Sequence, residues 1–333
     1  MQRASRPNKA LFGGGLVLLI LSAFLCLFIG RYHISLSEFP ALLQGVSKSG
    51  QGATVLFSLR LPRILASLLV GSALAISGAT YQAILRNPLV APDMLGVSSG
   101  ACVGAFLSIY LGLSQTTTQL VALFGGLLAV GLAMTIPRLI GNSSVMSLVL
   151  SGVIVGGFMS AALGLLKYVA DPDTQLASMT YWQLGSLAET SWRDVRAMSL
   201  PILGCLLLVF LLRFRLNILS LGDDEAKSLG VDVLRLRRLL ILCATLLTAT
   251  SVCSCGTIGW IGLVIPHMSR LFVGADHRMS IPCCALLGAF FLLLIDTLAR
   301  TLTMAEIPLS ILTGLLGAPT YFFLLLRQGR NLQ

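Results

Sequence analysis

Arg60 and Arg63 stand three residues apart at the head of an apolar run, Ile64–Leu85. That spacing sets both guanidinium groups on one side of a helix, where their planar forks can hold carboxylates. A third arginine, Arg300, follows the apolar run Met279–Ile295. The chemistry on offer is recognition of an acidic surface, not bond breaking. Asp296 is the one acid well inside an apolar stretch, four residues before Arg300, so a structural ion pair between Asp296 and Arg300 is expected. Asp223, Asp224 and Glu225 open a segment that runs through Ala226 and Leu229 to Gly230, with acids early and a glycine late, as in a short helix. Cys253, Cys255, Cys283 and Cys284 lie in apolar runs with none of the three histidines beside them. Packing between helices is expected of them, and no metal or cofactor site.

The elements that position these residues are membrane spans. Of 333 residues, 56% are hydrophobic and 11% charged, against about 25% charged in soluble domains. Uncharged runs recur at Ala10–Gly30, Ile64–Leu85, Met94–Pro137, Leu139–Leu166, Ala197–Leu212, Leu239–Ser269, Met279–Ile295 and Ile307–Leu326. A helix crosses the hydrocarbon with about 20 residues, so Met94–Pro137 must be two spans, broken near Gly112–Gln119. Leu239–Ser269 also reads as two, the second short, with a turn near Cys255–Gly259. The expectation is an all-α polytopic membrane protein of about ten helices, forming one domain over residues 1–333.

The amino terminus reads as a first span that starts inside, not as a cleaved leader, because Arg3, Arg6 and Lys9 precede a long uncharged run without a small-residue cleavage motif. Ten spans then leave both termini in the cytoplasm. Eight of the 23 Lys and Arg fall outside: Arg31, Lys48, Arg60, Arg63, Lys167, Arg193, Arg196 and Arg300. The remaining fifteen lie inside, as the positive-inside bias requires. Net charge is +10, which anionic lipid head groups explain without nucleic acid. No Walker sequence G-x-x-x-x-G-K-[ST] occurs, so the chain is not expected to be an enzyme, and any ATP hydrolysis falls to another protein.

Four segments stand above the hydropathy. They are Arg60-Leu-Pro-Arg63 leading to Gly71-x-x-x-Ala75-x-x-Gly78, Arg86-Asn-Pro-Leu-Val-Ala-Pro-Asp-Met-Leu-Gly96-Val-Ser-Ser-Gly-Ala101, Asp223-Asp-Glu-Ala-Lys-Ser-Leu-Gly230-Val, and Gly259-Trp-Ile-Gly-Leu-Val-Ile-Pro-His267 followed by Asp276-His-Arg278. In order and spacing these resemble the FecCD-type permeases of bacterial ATP-binding-cassette importers for iron–siderophore, haem and cobalamin. The likeness covers about Arg60 to Arg327. It departs at Trp260, where Phe is more frequent, and at Ile307-Pro308, where Leu-Pro is usual.

The resemblance implies a type II importer permease fold in the bacterial cytoplasmic membrane. It implies a second permease subunit, identical or related, two cytoplasmic ATPase subunits, and a periplasmic or lipid-anchored substrate-binding protein. Arg60, Arg63 and Arg300 match the arginines that meet carboxylates of the binding protein. Asp224, Glu225, Ala226, Leu229 and Gly230 match the element that seats in the ATPase, with Gly230 turning into a second short helix. Asn142, Ser143 and Ser144 fall where a cytoplasmic gate lies, although Gly-Asn-Ser-Ser is also an ordinary turn. Pro266 and His267 are expected to close the eighth span, with His267 a satisfied structural histidine. Iron–siderophore is the favoured cargo, with haem and cobalamin as alternatives. An ion-coupled secondary transporter is the rival class, and it would need a relay of buried acids where this chain offers Asp296.

Overall fold

The computed structural model describes residues 9–32, 34, 39, 50–141 and 144–330. Among these residues, six helices are long and apolar enough to cross a membrane and four shorter apolar helices join them, ten in all, as expected. They are α1 (Lys9–Phe28), α2 (Leu61–Leu85), α3 (Val97–Tyr110), α4 (Gln115–Leu139), α5 (Val145–Val169), α6 (Trp192–Leu221), α7 (Val233–Cys255), α8 (Ile261–Val273), α9 (His277–Ala299) and α10 (Leu309–Arg330). The breaks before α4 and α8 fall where the polar stretch and the glycines put them.

Helices α2 and α7 form the centre: 78% and 72% of their apolar windows are buried, against 28–33% for α4, α5 and α6. Small residues explain the position of α2. A Cβ on Gly71 would lie 2.2 Å from the Gly288 carbonyl of α9, and one on Gly78 1.9 Å from the Gly262 carbonyl of α8. Only glycine lets backbones approach this closely where no hydrophobic force acts between spans. Gly100 and Gly125 make the same mutual contact between α3 and α4. Gly96 packs less tightly, with a Cβ meeting Gly156 of α5 at 3.4 Å, and its main role is conformational. It takes φ +77 as the left-handed turn into α3.

Two features depart from the expected pattern. The chain is already helical before Ile64: a π-helical turn, Thr54–Arg60, runs straight into α2, tied to α6 by Trp192 Nε1 donating to Phe57 O at 2.8 Å. And Pro266 does not end α8, which continues to Val273. Proline forfeits the bond to the carbonyl four residues back. Here that carbonyl, of Gly262, accepts from Gln82 Nε2 at 3.4 Å.

Helices α3 and α8 are too short to cross alone, at about 20 Å each by rise per residue. Non-helical chain completes both crossings. Residues Pro92–Leu95 form a 3-10 turn packed against Gly262, α2 and α5. On the α8 side, Gly185 and Gly256, both at positive φ, touch each other. The chain there is held by Ser186 N to Cys255 O at 2.9 Å and Thr257 Oγ1 to Gln183 O at 2.6 Å. Irregular backbone survives in hydrocarbon only when buried or lining a cavity. Both breaks border one cavity of about 330 Å³, lined by Asp93, Ser98, Gln183, Thr257 and Trp260 among others. Asp93 Oδ1 accepts from Ser98 N at 3.1 Å, which serves one of the free amides at the amino end of α3.

Candidate functional site

The two ends of α2, about 37 Å apart by rise per residue, carry the two charged constellations. At its amino end, Arg63 Nε donates to both oxygens of Asp296, at 2.8 and 3.0 Å, and Nη1 donates to Glu306 Oε1 at 2.9 Å. Arg60 Nη1 and Nη2 donate to Leu27 O at 2.6 Å and Tyr32 O at 2.5 Å. Arg300 Nη2 donates to Cys26 O at 2.6 Å. The cluster thus ties α1, α2 and α9 together at one end of the bundle.

The expected pair of Asp296 with Arg300 is replaced by Asp296 with Arg63. Arg300 is the C-cap of α9, and its guanidinium turns to the end of α1, where the last carbonyls of a helix lack intrahelical donors. Asp296 faces α2 across the Gly71–Gly288 contact and takes the nearer arginine there. The sequence rule found the acid and missed the partner. Arg60, Arg63 and Arg300 are also 5%, 7% and 6% exposed, so their side chains are spent inside the chain and do not stand out from it. Glu306 escaped sequence analysis altogether. An acid in a polar turn gives no signal until Ile307 N, bonded to Ala299 O at 3.2 Å, folds the turn back over α9.

At the other end, Arg86 caps α2 in the left-handed conformation, φ +50, and its Nη2 donates to Asp223 Oδ1 at 3.3 Å. Arg237, near the start of α7, donates to the same oxygen at 2.7 Å. Burial pushes the Asp223 carboxyl up, but the Arg237 hydrogen bond and the charges of Arg237, Arg86 and Lys227 outweigh it and hold its pKa below the usual range. Asp223 therefore staples the short helix Asp223–Ser228 to both α2 and α7. Ala226, expected to face an ATPase, is 0% exposed and packs inward, because it lies on the face that Asp223 draws down. The surface shows Asp224, Glu225, Lys227, Leu229 and Gly230 instead. Gly230, at φ +76, turns the chain directly into α7, with no second short helix between them.

Of the gate residues, Asn142 and Ser143 lie outside the described residues. Ser144 is the N-cap of α5, its side chain accepting from Ser147 N at 3.2 Å. It borders a small cleft with Pro137, Leu148, Arg237 and Arg238, which brings it beside the arginine that holds Asp223. His267 is buried against Tyr321, ring centroids 5.7 Å apart. Its Nε2 finds no partner among the described residues, so it is not the satisfied histidine expected; the neighbouring Arg270 is turned to Gln82 Oε1 at 2.7 Å.

The fold agrees with what comparison with known proteins finds. The model of the FecCD transport family matches residues 18–328. The chain is 40% identical to the molybdate import system permease protein MolB of Haemophilus influenzae, over 99% of both chains. It is 42% identical to the hemin transport system permease protein HmuU of Yersinia pestis, over 81% of this chain and 83% of that one. Among solved structures, a metal-chelate type ABC transporter in an inward-facing conformation superposes with a TM-score of 0.88 at 39% identity, covering 96% of this chain and 99% of that chain. The chain belongs to the FecCD transport family, as a multi-pass permease subunit of an ATP-binding-cassette importer.

Proposed function

We propose that this chain and a second permease subunit enclose the pathway by which an iron–siderophore or related metal chelate crosses the bacterial cytoplasmic membrane, with both termini inside. A separate pair of ATPases drives it and a periplasmic or lipid-anchored binding protein loads it. The observation that carries this reading is the pinned short helix: Asp223 anchors Asp223–Ser228 to the ends of α2 and α7, the two most buried helices. A push on its exposed residues Asp224, Glu225, Leu229 and Gly230 is thereby delivered to the core, with Ala226 seating the helix. Arg237 also borders the cleft of Ser144, so the same push reaches the gate turn that includes Asn142 and Ser143.

The outer surface over Arg60, Arg63 and Arg300 receives the binding protein. Three guanidinium charges face two carboxylates, Asp296 and Glu306, and the excess positive charge acts from just beneath the surface. Such charge steers encounter and sets register more than it adds affinity. A chelate cargo suits the exposed face of α5, where Leu150, Val153, Ile154, Phe158 and Leu165 offer an uncharged wall that would release a bulky complex. A small oxyanion would call for donors there.

Gly230→Arg tests the coupling element, since a side chain at φ +76 strains the turn and the bulk blocks the surface. Co-purification of the ATPase should be lost; retention with full transport would refute the reading. Cargo is tested by uptake of labelled ferric siderophore, hemin, cobalamin and molybdate in a deletion strain carrying the gene. Uptake of molybdate alone would overturn the chelate assignment.

A further inference from the structure

Arg63 meets two carboxylates that are not equivalent. Asp296 is wholly enclosed, while the side chain of Glu306 is 31% exposed. Among the described residues, Glu306 bonds Arg63 through Oε1 alone, and its Oε2 is without a partner. A carboxylate can accept about four bonds, so this one is held by a fraction of its capacity. Nearby, Nε of Arg300 is likewise buried and without a partner among the described residues, and Glu306 lies within charge–charge range of it. One donor and one acceptor of opposite charge, each short of a bond, are a second pairing waiting in the same cluster. Buried polar groups are otherwise almost always satisfied. The backbone of the turn that carries Glu306 is anchored at its ends, by Leu302 N to Leu298 O at 3.0 Å and Ile307 N to Ala299 O at 3.2 Å, with Arg31 Nη2 donating to Thr303 O at 2.6 Å between them, so the exchange needs only the Glu306 side chain to turn.

We propose that Glu306 is an internal stand-in for a carboxylate of the docking protein. It occupies the outer edge of Arg63 while the surface is empty. It moves to Arg300 Nε when an acidic group of the partner takes its place. Asp296 stays on Arg63 Nε throughout and keeps the arginine aimed. The exchange explains how an arginine buried in the resting chain can still take part in docking, and it rests on the docking reading above. Glu306 then weakens docking by the amount its Arg63 pairing exceeds its Arg300 pairing, at most about fivefold for a partly exposed ion pair.

The test uses the complete transporter in lipid nanodiscs, with its binding protein titrated at low salt. Glu306→Gln should tighten binding, by at most about fivefold, Arg63→Gln should weaken it, and the double variant should bind like Arg63→Gln alone. If Glu306→Gln does not assemble, Glu306→Asp carries the same test, because it keeps the charge but is a methylene too short to reach Arg63. Unchanged or weaker binding for Glu306→Gln, with Arg63→Gln weakened, overturns the stand-in role and leaves docking intact. If Arg63→Gln binds as wild type, docking through this cluster fails and the inference fails with it.

Discussion

Asp296→Ala removes the carboxylate that accepts both Nε bonds of Arg63, in a site where the acid is fully enclosed and the arginine side chain 9% exposed. Breaking a buried pair from one side costs about 3–5 kcal/mol, because the charge left behind keeps its desolvation penalty. Glu306 still offers Arg63 one bond at 2.9 Å, so the lower end of that range, about 3 kcal/mol, is expected. The informative quantity is the coupling in double-mutant cycles. Asp296 with Arg63 should couple by more than about 1.5 kcal/mol, and Asp296 with Arg300 by less than about 0.5 kcal/mol. Arg63→Met with Asp296→Leu should recover most of the loss, since an apolar pair of similar volume avoids both desolvation penalties. The assay is unfolding of the purified chain in mild detergent with added denaturant, read by tryptophan fluorescence. A larger coupling to Arg300 than to Arg63 would refute the reasoning and restore the pairing along the helix.

Two further outcomes follow from local geometry. Gly78→Ala sets a Cβ 1.9 Å from the Gly262 carbonyl and should destabilise by about 1–3 kcal/mol, seen as lower yield and earlier unfolding. Gly131→Ala, with nothing within 4 Å of the added carbon, should stay within about 0.5 kcal/mol; equal effects would contradict the close-packing argument. Asp276, the N-cap of α9, has its pKa lowered from 3.8 to about 2, chiefly by the Arg278 hydrogen bond. A depressed carboxyl pKa stabilises above the unfolded value, and that contribution disappears as pH falls from about 4 to about 2. The stability gap between wild type and Asp276→Asn should therefore be constant from pH 7 to 5 and close below pH 4. A gap that persists at pH 2 would contradict the assignment.

Periodicity and run length made the ten helices legible, because span length in a bilayer leaves few alternatives. What escaped was every feature set by a partner distant in sequence. Arg63 lies 233 residues from Asp296, whereas the helix-neighbour rule reaches only Arg300. Pro266 looked like a terminator because nothing in its own segment shows that Gln82 serves the orphaned carbonyl of Gly262. Ala226 read as surface because an alanine beside acids carries no mark of which face Asp223 will pull inward. The dip of Pro92–Leu95 into the bundle stayed hidden for a related reason. Its apolar residues count toward hydropathy as any helix would, and only the short α3 that follows betrays it.

The central claim is that this chain is a conduit moved by force applied at Asp223–Ser228 and supplied with cargo at the end that holds Arg63. It is tested most directly by uptake of labelled ferric siderophore into proteoliposomes, with permease, ATPase and binding protein added in every combination. The account predicts accumulation only with all three components and ATP, abolished by Gly230→Arg. Uptake at full rate by the permease alone, without nucleotide, would contradict it.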